Sequence, residues 1–154
     1  MARTTVDSER MAAWEAFLGA HAAVTEILDH ELVSEREMPL TWYDVLINLH
    51  NCGGRARMQE LAASILFSKS GLTRLVDRME KAGAVARESC PQDLRGTYAV
   101  ITPAGRRLLQ RARPIHHRGI DEHFAQHLTV AEARAIQSSM RKVIRALRPD
   151  GDGG

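Results

Sequence analysis

The chain has 154 residues, 44% of them hydrophobic and 26% charged, which is the profile of one soluble globular domain able to bury its own core. It lacks both an apolar run approaching the ~20 residues of a membrane span and the apolar stretch of a secretory signal near its start, and its two cysteines, Cys52 and Cys90, make no disulfide framework; a cytoplasmic protein without membrane contact is expected. The net charge of +2 hides a segregation, since residues 1–50 carry −6, residues 51–118 carry +8 and residues 119–154 balance, so that one face suited to a polyanion is expected.

Residues 8–33 read as a long helix capped by Ser8, with Trp14, Phe17, Leu18, His21, Val24, Ile27, Leu28 and Leu32 recurring at three- and four-residue steps. Pro39 closes the connection that follows. Thr41 and Asp44 make a capping-box-like start to a second helix, whose apolar positions are Val45, Leu46 and Leu49 and which Gly53-Gly54 stop. Residues 57–66 form a short helix holding Met58, Leu61, Ala62 and Ile65. Ser68 caps a fourth helix with Leu72, Leu75, Val76 and Met79 on one stripe, and Gly83 ends it. Two alternating runs, 84–89 and 97–101, flank Cys90-Pro-Gln-Asp-Leu-Arg-Gly96 and predict a hairpin with a long loop. Thr102-Pro103 opens a fifth helix, which Pro114 is expected to kink or interrupt before the pattern resumes through Ile115, Ile120 and Phe124 to Leu128. Thr129 with Glu132 is a capping box for the last helix, striped by Ile136, Met140, Val143, Ile144 and Leu147. The tail, 149–154, is expected to be disordered.

Short helix, turn, amphipathic helix and hairpin, in that order, make a helix-turn-helix followed by a wing. Opposite its apolar stripe the fourth helix gathers Lys69, Ser70, Thr73, Arg74, Asp77, Arg78 and Lys81, mostly hydrogen-bond donors. Short hydroxyls near a helix start approach phosphates or base edges, and Arg74 and Arg78 reach across a major groove. A charged helix face alone is usually just solvated. Its place after a helix-turn and before a basic hairpin is what points to DNA.

Three segments carry a resemblance: Gln59-Glu-Leu-Ala62, the helix Ser68-Lys-Ser-Gly-Leu-Thr-Arg-Leu-Val-Asp-Arg-Met-Glu-Lys-Ala-Gly83, and Asp93-Leu-Arg-Gly-Thr-Tyr-Ala-Val-Ile-Thr-Pro-Ala-Gly105. Together they resemble the MarR family of bacterial transcription regulators over residues 10 to 148. The resemblance implies a mainly α protein with a small β-hairpin wing (α+β), in which 41–105 form the winged helix-turn-helix and 8–33 and 106–148 the dimerisation helices. It implies a homodimer that represses by occupying a pseudo-palindromic operator in double-stranded DNA and is released by a small ligand or by oxidation. Residue by residue, it places Ser68, Lys69, Ser70, Thr73, Arg74 and Arg78 on the recognition-helix face. Arg95 falls on the wing-tip arginine that enters the minor groove, with Asp93 beside it to orient it or simply to stabilise the turn.

An effector pocket between the dimer helices and the winged helix is also implied, typically for aromatic or phenolic anions. Trp14, Phe17 and His21 on the first helix, Trp42, Tyr43 and Val45 on the second, and Arg57 and Met58 before the third supply aromatic walls and a cation for a small aromatic acid or phenol. The same stripe also reads as ordinary core. Redox sensing has no cysteine in the first helix to use. Cys52 reads as a small core residue, and Cys90, at the wing base near Arg87, as an exposed thiol. A metal-responsive reading would draw on His21, His30, Glu31 and the fifth-helix histidines, among which His123 and His127 stand four residues apart; the spacing is loose and no metal or other cofactor is expected. A winged helix used only for protein contacts is the remaining alternative. No enzyme is expected, since G-x-S-x-G, the phosphate-binding G-x-x-x-x-G-K-[ST] and H-E-x-x-H are all absent.

Overall fold

The computed structural model describes residues 5–65 and 68–148; the side chains of Lys69 and of residues 93–95 lie outside that description, as does the tail whose disorder the sequence suggests. The elements run α1 (Ser8–Arg36), α2 (Leu40–Asn51), β1 (Arg55–Arg57), α3 (Met58–Ser64), α4 (Lys69–Lys81), β2 (Val85–Cys90), β3 (Asp93–Ile101), α5 (Pro103–His123), a 3₁₀ turn over Ala125–His127 and α6 (Val130–Leu147). The protein is mainly helical with a small antiparallel sheet ordered β1-β3-β2. No helix among the described residues is long and apolar enough to cross a membrane.

Local capping chemistry accounts for three helix starts. Ser68 Oγ accepts from the Gly71 N–H at 3.1 Å, Thr102 Oγ1 from the Gly105 N–H at 3.0 Å, and Thr129 Oγ1 from the Glu132 N–H at 3.2 Å with Glu132 reaching back to the Thr129 N–H. Each satisfies donors that the first turn leaves without a partner. Two other starts differ from the sequence reading. The cap of α1 is Asp7, whose carboxylate accepts from the Arg10 N–H, rather than Ser8. Helix α2 begins at Leu40 after Pro39, with no capping box from Thr41 and Asp44. Its first N–H donates instead to Asp29 Oδ1 on α1, at 2.8 Å, a cap supplied across the fold.

The core is built where α1 and α5 cross α2 and the winged unit. Leu32, Leu46, Leu49, Leu72, Leu75 and Met79 are almost wholly buried, and Val85, Ala99 and Ile101 close it from the sheet side. The apolar stripe expected of α4 is therefore the core-facing one. On α1 only Leu28 and Leu32 are buried, and residues 5–23 are exposed throughout.

The hairpin is tighter than the sequence suggests. Strand β2 runs to Cys90 and β3 starts at Asp93, so Pro91-Gln92 is the turn and most of the expected long loop is strand. Strand β1 carries no periodic signal of its own. It exists because Arg55, Ala56 and Arg57 pair with Val100, Ala99 and Tyr98 along the free edge of β3. Helix α5 continues through Pro114 without interruption. The proline is itself exposed and removes one N–H, while Ala112 and Ile115 on either side are buried and hold the helix in place. The helix ends at His123, so His127 falls in the 3₁₀ turn and the expected helical pairing of the two histidines is absent.

Candidate nucleic-acid interface

Burying Leu72, Leu75, Val76 and Met79 leaves the other side of α4 facing out. Ser68, Ser70, Thr73, Arg74, Arg78 and Lys81 are all exposed. The Ser68 and Ser70 hydroxyls stand 3.4 Å apart at the helix start. Lys69, Asp93 and Arg95 belong to the same expected set and lie outside the described side chains; the backbone puts Lys69 in the first turn of α4 and Arg95 in β3 just past the Pro91-Gln92 turn.

One arginine of the wing reaches across to α4. Arg87, on β2, places Nη1 2.5 Å from Asp77 Oδ1 and 3.5 Å from Glu80 Oε1, donates from Nη2 to the Thr73 carbonyl at 3.1 Å, and donates its own N–H to Glu80 Oε2 at 3.0 Å. Asp77 thus belongs to this contact rather than to the free donor face. On the far edge of the sheet the Arg55 guanidinium lies 4.1 Å from the centre of the Tyr98 ring and 3.4 Å from Glu88, with Arg57 5.9 Å from the same ring. Hydrogen bonding with Tyr98 raises the pKa of Arg57 further. No spacing rule in the sequence marks Arg55, Tyr98 or the Arg87 set, because their partners come from other elements.

The residues expected around an effector occupy three places. Trp14, Phe17 and His21 form a ladder along the exposed half of α1, with ring centres 6.0 and 6.4 Å apart in succession. Tyr43 and Val45 are buried and Trp42 packs against the core. Tyr43 stacks on His116 at 4.1 Å; burial raises the phenol pKa, partly offset by hydrogen bonding with Arg113, and burial lowers that of His116, whose Nδ1 has no partner. Burial likewise raises the Asp44 carboxyl. Arg57 and Met58 line a groove of about 340 Å³ together with Gln59, Leu72, Thr73 and Arg87.

Both cysteine expectations are reversed. Cys52 caps the end of α2 with its side chain exposed, whereas Cys90 is buried at the end of β2, away from attack by solvent oxidants. Of the residues that a metal-responsive reading would draw on, His123 Nε2 meets Glu31 Oε1 at 2.6 Å, and Glu122 offers an oxygen within 4.8 Å of both. His21 and His30 are not part of that group.

A short helix, a recognition-type helix with a donor-rich exposed face, and a three-stranded wing define a winged helix-turn-helix DNA-binding protein. Comparison with known proteins gives the family. Residues 36–96 match the MarR family model. The chain is 31% identical over 108 residues to the HTH-type transcriptional regulator MhqR of Bacillus subtilis, covering 69% of this chain and 74% of that one. Against the uncharacterised regulator YkoM of the same organism it is 28% identical over 96 residues, covering 61% of this chain and 62% of that relative. The crystal structure of Sco3205, a MarR family transcriptional regulator from Streptomyces coelicolor in complex with DNA, superposes with a TM-score of 0.86 at 31% identity, over 97% of this chain and 94% of that one. The chain belongs to the MarR family of transcription regulators, which are not enzymes.

Proposed function

We propose that this regulator is a cytoplasmic homodimeric repressor that reads a pseudo-palindromic operator. The observation that carries the reading is the exposed donor face of α4, set beside the wing by Arg87. In it, Ser68, Lys69 and Ser70 meet phosphates at the helix start, Thr73, Arg74 and Arg78 face the major groove, and Arg95, steered by Asp93, enters the adjacent minor groove. The DNA-bound state of the related Sco3205 supports this reading. Dimerisation is supported by α6, in which no residue is buried, and by the uncovered half of α1. Two-fold symmetry sets two recognition helices about 34 Å apart, one turn of DNA.

Arg95→Ala is expected to weaken operator binding without unfolding the protein, since the backbone puts this position in the hairpin just past the Pro91-Gln92 turn. Arg74→Ala is expected to cost about 1–3 kcal/mol and to relax base preference at one position of each half-site. Fluorescence anisotropy with operator and single-base variants measures both. Parent-like binding by the two variants at moderate salt would refute this assignment of faces.

Release by a small aromatic acid or phenol is the effector reading. Its support is the exposed Trp14, Phe17 and His21 ladder and the groove where Met58 and Leu72 sit beside the guanidinium-bearing Arg57. A ligand favouring a dimer with mis-spaced recognition helices lowers operator affinity by its differential affinity for the two states, about 1–3 kcal/mol. Titrating salicylate and related acids against the complex, with tryptophan fluorescence followed in parallel, is expected to quench emission and release DNA. Neither change at millimolar ligand would end this effector reading and leave DNA binding standing.

A further inference from the structure

We propose that Arg87 and Asp77 act together as the positioning pair for DNA binding, fixing the wing relative to the recognition helix while neither side chain contacts DNA. The inference rests on the DNA-binding reading above. Thr73, Asp77 and Glu80 lie at i, i+4 and i+7 on α4, a single stripe, and Arg87 on β2 engages all three. The guanidinium spends Nη1 on the Asp77 and Glu80 carboxylates and Nη2 on the Thr73 carbonyl, and its side chain is 25% exposed. A cation already paired with two carboxylates is a poor phosphate ligand. It is, however, a good bolt, since its planar fork fixes direction as well as distance.

The bolt joins two parts that meet different grooves. Helix α4 presents its donor face to the major groove, while β2 and β3 carry the hairpin tip toward the minor groove. Binding both at once requires one fixed offset between them, and any freedom there is lost on binding as an entropic cost. Folding does not depend on the bolt in the same way. Val85, Ala99 and Ile101 are buried in the core, and β2 pairs with β3 in one register from Val85 to Ser89.

Charge makes the prediction distinctive. Asp77 is an acid on the helix that faces DNA, so electrostatics alone predict that Asp77→Asn, which also frees the Arg87 charge, tightens binding. A positioning role predicts the opposite sign. The test uses the 154-residue chain in its proposed dimeric form and a duplex that the parent selects from a random-sequence pool. Asp77→Asn, Arg87→Lys and Arg87→Gln are compared by anisotropy over a salt series, with far-UV circular dichroism and melting confirming that each is folded at the temperature used. All three are expected to bind about tenfold more weakly than the parent, with an unchanged slope of log affinity against log salt. Parent-like or tighter binding by Asp77→Asn, full retention in Arg87→Lys, or a slope smaller by about one for Arg87→Gln would overturn the proposal. The isosteric Asp77→Asn, on a side chain that is 47% exposed, decides the matter should the Arg87 variants unfold. A parent that selects no duplex at all refutes the DNA-binding reading itself, an outcome distinct from any of these.

Discussion

Gly105→Ala is expected to destabilise the protein by about 3 kcal/mol, a fall in Tm of about 6–12 °C, and to be the most damaging single methyl that the winged unit can receive. A Cβ at this position would stand 2.0 Å from the Ala84 carbonyl oxygen and 3.0 Å from an Ile101 side-chain carbon. Neither obstacle is a flexible side-chain end. The Ala84 carbonyl accepts the Thr102 N–H at 3.2 Å, and the Thr102 hydroxyl donates to the Gly83 carbonyl at 2.6 Å while capping Gly105. The start of α5 is thereby fastened to the turn that leads into β2. Adding a methyl group forces the start of α5 away from the turn that leads into β2. Differential scanning calorimetry of the variant measures the loss, and an unchanged Tm would show that this junction is looser than its contacts indicate.

The second large effect concerns assembly. Ile144→Glu combined with Leu147→Glu is expected to give a folded monomer whose operator affinity is lower by more than about a hundredfold, because the second half-site no longer adds to the first. These side chains are 57% and 75% exposed, and with Ile136 and Val143 they make an apolar stripe on a helix that contributes nothing to the protomer core. On α1, Trp14 at 55% exposure and Phe17 at 43% add to the uncovered area. Contiguous apolar surface of that kind marks an association face. Two carboxylates placed on it would have to be buried without partners, at a cost exceeding that of staying apart. Light scattering and circular dichroism together read the outcome. A variant that stays dimeric would place the interface elsewhere.

What was legible in the sequence is what is decided locally. Ser68, Thr102 and Thr129 announce their helices because the donors they satisfy lie three residues away, and Leu72, Leu75, Val76 and Met79 reveal the inner face of α4 by their spacing alone. The unread parts depend on distant partners. Asp29 caps α2 from eleven residues upstream, and β1 is a strand only because β3 offers it an edge. Arg87 shows the same limit within the site. In sequence it is one more basic residue near a cysteine; in space it holds three positions of the recognition helix. The cysteines were misplaced for a related reason. Cys52 sits at a helix end that turns outward, and the tight Pro91-Gln92 turn draws Cys90 into the strand and under cover. Family resemblance named the wing-tip pair Asp93 and Arg95, which composition and periodicity alone do not single out.

The most direct test of dimeric operator binding is a salt titration of the parent protein on the duplex it selects from a random-sequence pool, with stoichiometry measured on the same complex. An inverted repeat with half-site centres about 10 base pairs apart, two chains per duplex, and a log affinity that falls linearly with log salt by several units of slope are expected. Selection of no sequence, or binding by one chain with no dependence on salt, would contradict it.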